Sequence, residues 1–378
     1  MYEFSVPMPY AIENINKILD INNEIEKSKI TSMYFSLPSN SKLFTGFEQY
    51  RNTISDKNWD YWKNLISHCL ENNVDFIYLL NNPARLPIEQ TNFEEKLDKL
   101  DKLLNELRKL GINKLRIAEH KLMSYIERHY PDFNIYASTS FEFKSIQEYQ
   151  NFLFMHKGVK QIVPSHDSIK NFTLLKNLKN MLPDVEIELI VNEGCINGCP
   201  NRDGHASEIM DRYTKIRNDI TMSNSYYTNY FCSNYERQNP FLSLVKSNKI
   251  FPWEIEEYAK IQITNFKLVG RDMFHNRIDN YLNEYLIYFK GIDNYKNIEN
   301  ESVNTFIHHL ANDDILNKLT VKEIKHLLPD IKYFKKYGKL CFVNCQINCS
   351  YCYKCSNKIQ KHYENKCKKH KYVSACTI

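Results

Sequence analysis

Eight short β-rich runs recur along the chain, and most of them are followed by a helical pattern. This alternation is expected of a parallel sheet covered by helices. Because eight strand–helix units are the number that closes a barrel, the sequence predicts an α/β fold, a (β/α)8 TIM-like barrel. The runs occupy 4–9, 32–38, 74–80, 114–118, 133–139, 159–165, 185–193 and 265–271.

The spacing of the runs is regular except after the seventh, where residues 194–264 intervene before the eighth. We therefore expect residues 1–290 to form the barrel, with a long metal-binding loop at 193–260. Residues 291–378 are then a cysteine-rich C-terminal extension that contains a cysteine knuckle at 341–355.

The composition excludes several classes of protein. Apolar residues make up 43% of the chain and charged residues 25%, which excludes a disordered or collagen-like chain. No apolar run reaches the roughly 18 residues of a membrane helix, so we expect no membrane association. The N-terminus lacks the basic start and apolar core of a secretory signal, so we expect a cytoplasmic protein.

Eleven cysteines in a reducing compartment point to metal ligands or catalysts rather than disulfides. Cys195 and Cys199 form a C-x3-C pair after the seventh run, and Cys232 lies in the same long loop. Three thiolates on one face suit an iron–sulfur cluster or zinc, whereas a catalytic thiol needs only one cysteine and a base. Cys69 lies late in a helical pattern, and we expect it to be a buried small apolar residue.

The C-terminal extension carries a second and denser group of cysteines. Three of them read C-x3-C-x2-C, which matches the radical S-adenosylmethionine signature, but only 26 residues follow Cys352 and cannot build the barrel that such chemistry requires. A structural metal site is therefore expected, and both zinc and a second [4Fe–4S] cluster suit the spacing. Its candidate ligands are Cys341, Cys345, Cys349, Cys352 and Cys355.

Polar residues follow several of the predicted strands, at the face where barrel enzymes carry their chemistry. Arg271 ends the eighth run and is a candidate to bind a carboxylate or phosphate. His120 and His205 are candidate acid–base groups, and Glu119 and Glu193 are candidates to orient them. Further polar residues at this face lie at 138–140 and 165–167.

Four segments together resemble the collagenase-like peptidase family, peptidase family U32. In that family a strand runs into a pair of cysteines, a third cysteine follows, and a strand of the form FKIEGR closes the unit. The family also includes anaerobic hydroxylases of ubiquinone biosynthesis and of RNA. The segments are IYASTSFEF at 135–143, KQIVPSHDSIKNF at 160–172, ELIVNEGCINGC at 188–199 and IFPWEIEEYAKIQITNFKLVGR at 250–271.

The resemblance implies a barrel and a four-cysteine [4Fe–4S] cluster, carried over here onto Cys195, Cys199 and Cys232. The family's fourth cysteine falls near 251–253, where this chain has no thiol, so the fourth ligand is a tail cysteine, His205 or an open site for substrate. Val269 stands where the family commonly has glutamate, and the role of that acid is not transferred.

The favoured hypothesis is an iron–sulfur enzyme that catalyses an oxygen-independent, hydroxylation-type modification of a small molecule, RNA or peptide. A peptidase or peptide-processing enzyme is the first alternative, although the sequence shows no convincing Ser/His/Asp set and no H-E-x-x-H helix. A non-catalytic metal-binding subunit of a heterodimer or homodimer is the second. Radical S-adenosylmethionine chemistry is the least favoured.

The end of the chain is basic, with tyrosine and histidine among the lysines of KIQKHYENKCKKHKY at 358–372. Contact with RNA phosphates and a solvated tail are both open interpretations. The net charge of the whole chain is only +5, which does not indicate a broad basic face. No glycine-rich phosphate loop occurs, so nucleotide chemistry through such a loop is not expected.

Overall fold

Eight parallel strands close into a barrel in which each strand pairs with its neighbours in chain order and β8 pairs with β1. The computed structural model describes residues 1–9, 11–37, 42–43, 45–48, 59–81, 93–199, 238–270, 278–306, 313–344 and 350–369. The strands are β1 (Tyr2–Pro7), β2 (Ser28–Phe35), β3 (Asp75–Leu80), β4 (Lys114–Ile117), β5 (Asn134–Ala137), β6 (Val159–Ile162), β7 (Glu186–Ile190) and β8 (Asn265–Lys267).

The predicted (β/α)8 barrel is therefore confirmed, and each predicted run contains or overlaps one strand. Several runs extend beyond the paired residues at their C-terminal ends, for example 185–193 against a strand that ends at Ile190. These extra residues leave the ring and form the start of the loops at the barrel mouth. β2 begins at Ser28, four residues before the predicted run, because Ser28 and Ile30 pair with β1.

Helices cover the outside of the ring. Phe4 of β1 packs against Phe266 of the neighbouring strand and Phe289 of a covering helix, at ring-centroid distances of 5.4 and 4.8 Å. Among the described residues the barrel helices are α1 (Ile12–Glu24), α2 (Trp59–Glu71), α3 (Phe93–Lys109), α4 (His120–His129), α5 (Ile146–Met155), α6 (Phe172–Met181), α7 (Pro240–Lys246), α8 (Ile255–Ala259) and α9 (Ile278–Asp293).

A helical C-terminal extension follows the barrel, as the sequence predicts. It packs back onto the barrel, because one of its helices contacts α6 and the last contacts α7, within the connection between β7 and β8. No helix in the described part of the chain is long and apolar enough to cross a membrane. The helices of the extension are α10 (Asp313–Leu316), α11 (Val321–Ile324), α12 (Ile331–Asn344) and α13 (Tyr351–Lys369).

The interior of the ring is charged, although the interior of such barrels is usually filled by branched apolar side chains. Arg116 of β4, only 1% exposed, donates a hydrogen bond to Glu188 of β7 at 2.5 Å and another to Gln161 of β6. Ser5 of β1 donates to the other oxygen of the Glu188 carboxylate at 2.7 Å. Burial alone would raise the pKa of Glu188, but Arg116 and Lys267 outweigh that effect and lower it. This network joins β1, β4, β6 and β7 across the barrel.

We expect replacement of Glu188 by leucine to lower the free energy of unfolding by about 3–5 kcal/mol, because it leaves the Arg116 guanidinium buried without its carboxylate. The double variant Arg116→Met/Glu188→Leu removes both charges and should lose clearly less. Urea unfolding followed by circular dichroism measures both. A loss in the double variant as large as that in Glu188→Leu, or larger, would contradict this explanation.

Candidate functional site

A turn that carries two thiols lies just past the end of β7. Cys195 and Cys199 are both partly exposed. Gly198 between them has a φ of +69°, in the left-handed region that favours glycine, so the chain reverses tightly between the two thiols. We call residues 195–199 the thiol turn.

The thiol turn is held in place by the ends of two neighbouring segments. Asp167, which follows β6, accepts a hydrogen bond from the backbone N–H of Gly198 at 2.9 Å. On the other side, the backbone N–H of Asn248 donates to the carbonyl of Cys195 at 2.9 Å, and Asn197 donates to that of Lys246 at 3.0 Å. The positions of the thiols are therefore set by β6, β7 and the segment after α7.

His166, next to Asp167, lies between two carboxylates at the same mouth. Its Nδ1 is 2.9 Å from an oxygen of Glu142, and its Nε2 is 3.8 Å from an oxygen of Glu193. All three side chains are 12–20% exposed, so the group is sheltered but open to small molecules. Glu142 has a φ of +48°, an uncommon conformation for glutamate that often marks a functional site. An imidazole oriented by a carboxylate is a competent acid–base group.

The predicted acid–base candidate His120 belongs to a different group, between α4 and α5. Its Nδ1 is 2.9 Å from Nε2 of the buried His156, whose Nδ1 is 3.0 Å from Glu127. Burial and the neighbouring His156 lower the pKa of His120, and Glu119 opposes them. Glu119 uses both carboxylate oxygens to accept from the backbone at the start of α4, so its described contacts are those of a helix N-cap.

The tail cysteines approach the same segment that holds the thiol turn. Cys352 and Cys355 lie near the start of α13 and are both buried. Burial and the neighbouring Lys170 hold the pKa of Lys249 well below its usual value. Cys352 is close enough to Lys249 to oppose this shift. Because the neighbouring residue, Asn248, bonds the thiol turn, both cysteine groups lie close to the segment 246–249.

Several predicted site residues lie outside the described residues, and their roles stay predictions. In the part of the chain that the structure describes, no three His, Cys, Asp or Glu residues are arranged to hold a metal ion. Cys232, one of the three predicted ligands at the mouth, lies outside that part. Cys367 is disulfide-bonded, and its partner is not among the cysteines whose side chains are described. The predicted residues outside the description are His205, Cys232, Arg271, Cys345, Cys349 and the side chain of Cys341.

Sequence reasoning assigned no role to His166 or Glu142, although it placed 165–167 at this mouth. His166 stands in PSHDS directly after the sixth run, so a search for histidine at strand ends would have found it. Glu142 lies 24 residues earlier and has no local signal that pairs it with His166. Arg116 and Glu188 were also missed, although a charge inside an apolar β-run is itself unusual.

Residues 42–218 match the model of a family described as peptidase family U32. The matched stretch includes the thiol turn, His166 and Glu142. It begins and ends earlier than the region 135–271 whose motifs carry the resemblance in the sequence. No curated protein matches the chain.

Two solved structures align with this chain at low sequence identity. The U32 peptidase Mk0906 has a TM-score of 0.47 at 10% identity, over 71% of this chain and 93% of that one. An N-acetylneuraminate lyase from Fusobacterium nucleatum complexed with pyruvate has a TM-score of 0.34 at 11% identity, over 96% of each chain. Both TM-scores lie below 0.5, so the fold rests on the strand order described above.

We expect Asp167→Ala to speed alkylation of Cys195 and Cys199 by iodoacetamide in metal-free protein, because Gly198 loses the acceptor that fixes the thiol turn. Mass spectrometry of the labelled peptides gives the rates. Asp184→Ala, which removes an exposed carboxylate before β7, is the matched control and should leave the rates unchanged. Equal rates in all three proteins would show that Asp167 does not hold the turn.

Because the pKa of His120 is lower in the folded chain than in the unfolded one, protonation favours the unfolded state. Its contribution to stability is present above the unfolded value, about 6.5, and is lost as the pH falls below it. His120→Gln should therefore flatten the fall in melting temperature between pH 7.5 and 5. A slope identical to that of the wild type would contradict this assignment.

Proposed function

We propose that this chain, whose residues 42–218 match the model of peptidase family U32, is an iron–sulfur enzyme that works at the barrel mouth. The proposed reaction is an oxygen-independent, hydroxylation-type modification of a small molecule, RNA or peptide. The observation that carries the proposal is that the fixed thiol turn lies at the same barrel mouth as His166 and its two carboxylates. Soft ligands and an acid–base group are thereby combined at one end of the barrel.

The described residues fit such a cluster. Cys195 and Cys199 are partly exposed and lie on a turn that is fixed from both sides, which suits ligands that must hold one geometry. Cys232 is the proposed third ligand, and a tail thiol is the proposed fourth, since the tail reaches the segment 246–249. When bound, the cluster supplies electron transfer to or from the substrate.

Residues of the barrel mouth are proposed to transfer a proton to or from the substrate. A carboxylate at Glu142 accepts the N–H of His166 Nδ1, which leaves Nε2 as the atom that takes or gives a proton. Glu193 lies near Nε2 and forms an ion pair with the ring when the ring is protonated. Arg271, which follows β8, is proposed to bind a carboxylate or phosphate of the substrate.

A peptide-processing enzyme is the second candidate, and the name of the family supports it. His166 with Glu142 would then activate a water molecule for attack on the peptide carbonyl. Ser165 precedes His166 but bonds the hydroxyl of Ser168 at 2.7 Å, so the described residues favour a water route over a serine nucleophile.

The test is anaerobic purification followed by iron and acid-labile sulfide analysis. We expect brown protein with iron and sulfide in equal amounts, and a loss of most of both in the Cys195→Ala/Cys199→Ala variant. Cys69→Ala is the matched control, because burial raises the pKa of this thiol to about 12 and keeps it from binding metal. Colourless, iron-free protein after anaerobic reconstitution would exclude the cluster.

Peptide cleavage separates the two candidates. We expect the anaerobic protein to leave a mixed peptide library intact, which liquid chromatography with mass spectrometry records. Cleavage that is lost in His166→Gln and kept in Cys195→Ala/Cys199→Ala would instead favour the peptide-processing enzyme.

A further inference from the structure

The positive charge of this protein is concentrated in its last 48 residues. Residues 331–378 contain eleven lysines, one glutamate and no arginine or aspartate, a net charge of +10. Because the whole chain carries only +5, the preceding 330 residues carry −5. Residues 331–378 are thus a basic segment attached to a mildly acidic remainder of the chain.

Helix α13 presents this charge as one stripe. Lys354, Lys358, Lys361 and Lys368 are all exposed and lie at i, i+4, i+7 and i+14, which places them on one side of the helix. At 1.5 Å per residue the stripe is about 21 Å long. The opposite side of α13, with Tyr363, packs against Phe241 of α7 at 5.5 Å between ring centroids. The helix is therefore fixed with its lysines outward.

The charges of the stripe are not compensated within the described residues. None of its four lysines forms an ion pair with a described carboxylate, and the single acidic residue of α13, Glu364, accepts a hydrogen bond from Gln360. By contrast, Lys366, on the side facing the extension, binds Glu323 and the carbonyl of Lys318. Lysines that stabilise the fold are thus separate from those of the stripe.

An exposed aromatic ring stands at the N-terminal end of the stripe. Tyr353 is 48% exposed, one of the few large hydrophobic side chains that remain so in the described chain. Lys246 of α7 lies 5.0 Å from the centre of its ring. Cations that follow a backbone, together with a ring on which a base stacks, form the usual platform for single-stranded nucleic acid.

We propose that the stripe of Lys354, Lys358, Lys361 and Lys368, with Tyr353, binds single-stranded nucleic acid. An anionic membrane fits the surface less well, because a helix that lies on a membrane inserts an apolar face, and the apolar face of α13 is buried against α7. Binding at this surface uses none of the proposed mouth residues, so it goes beyond the proposed reaction and is tested apart from it. It would hold a polyanion beside the connection that carries the thiol turn.

Fluorescence anisotropy with labelled oligo(U) and oligo(dT) of about 20 nucleotides tests the proposal. The full-length wild type should bind at low salt, with an affinity that falls as salt rises. Lys354→Gln/Lys358→Gln/Lys361→Gln/Lys368→Gln should bind at least about tenfold more weakly. Its salt dependence should be shallower, by up to about 0.7 for each phosphate that the variant no longer neutralises. Tyr353→Ala should bind about tenfold more weakly, whereas Tyr353→Phe should retain binding.

The matched control is Lys99→Gln/Lys102→Gln/Lys109→Gln/Lys121→Gln, which removes the same charge from exposed positions of α3 and α4. It should bind like the wild type, and all variants should keep the wild-type circular dichroism and iron content. Equal weakening in the control and stripe variants would overturn the proposal. Binding to phosphatidylserine vesicles without binding to either oligonucleotide would also overturn it and would identify a membrane surface.

Discussion

The pairing of β8 with β1 is the constraint on which the arrangement of this protein depends. Once eight parallel strands form a closed ring, all of their C-terminal ends lie on one face, and the loops that follow them must meet there. His166, Glu193 and Cys195 belong to the loops of two neighbouring strands, β6 and β7, and come together for this reason. The order of the strands therefore determines that these side chains meet at the mouth.

The inside of the ring carries a cost that an apolar core would avoid. Arg116 and Glu188 lose their hydration, and their mutual contact and the hydrogen bonds with Gln161 and Ser5 compensate for that loss. Lys267 adds a second cation, 4.1 Å from the centre of the Tyr34 ring. Such a network fixes the relative register of distant strands, because each charged group has few positions in which its partners are in reach.

Much of the fold could be predicted from the sequence, because a parallel strand buried on both faces leaves a local apolar run. The runs at 74–80 and 114–118 come within one residue of β3 and β4. The candidate site was harder to predict from the sequence than the fold. Cys195 and Cys199 are close in sequence and visible as a pair, whereas the contact of His166 with Glu142 depends on how the β5 and β6 loops fold over each other. The packing of α13 on α7, which orients the basic stripe, likewise has no local signal.

We propose that the thiols at the barrel mouth hold a metal cluster. Crystals grown anaerobically, with an anomalous difference map measured at the iron absorption edge, test it most directly. We expect an iron peak bonded to the Sγ atoms of Cys195 and Cys199. An iron peak at Cys352 and Cys355 alone, or no iron peak in either place, would contradict it.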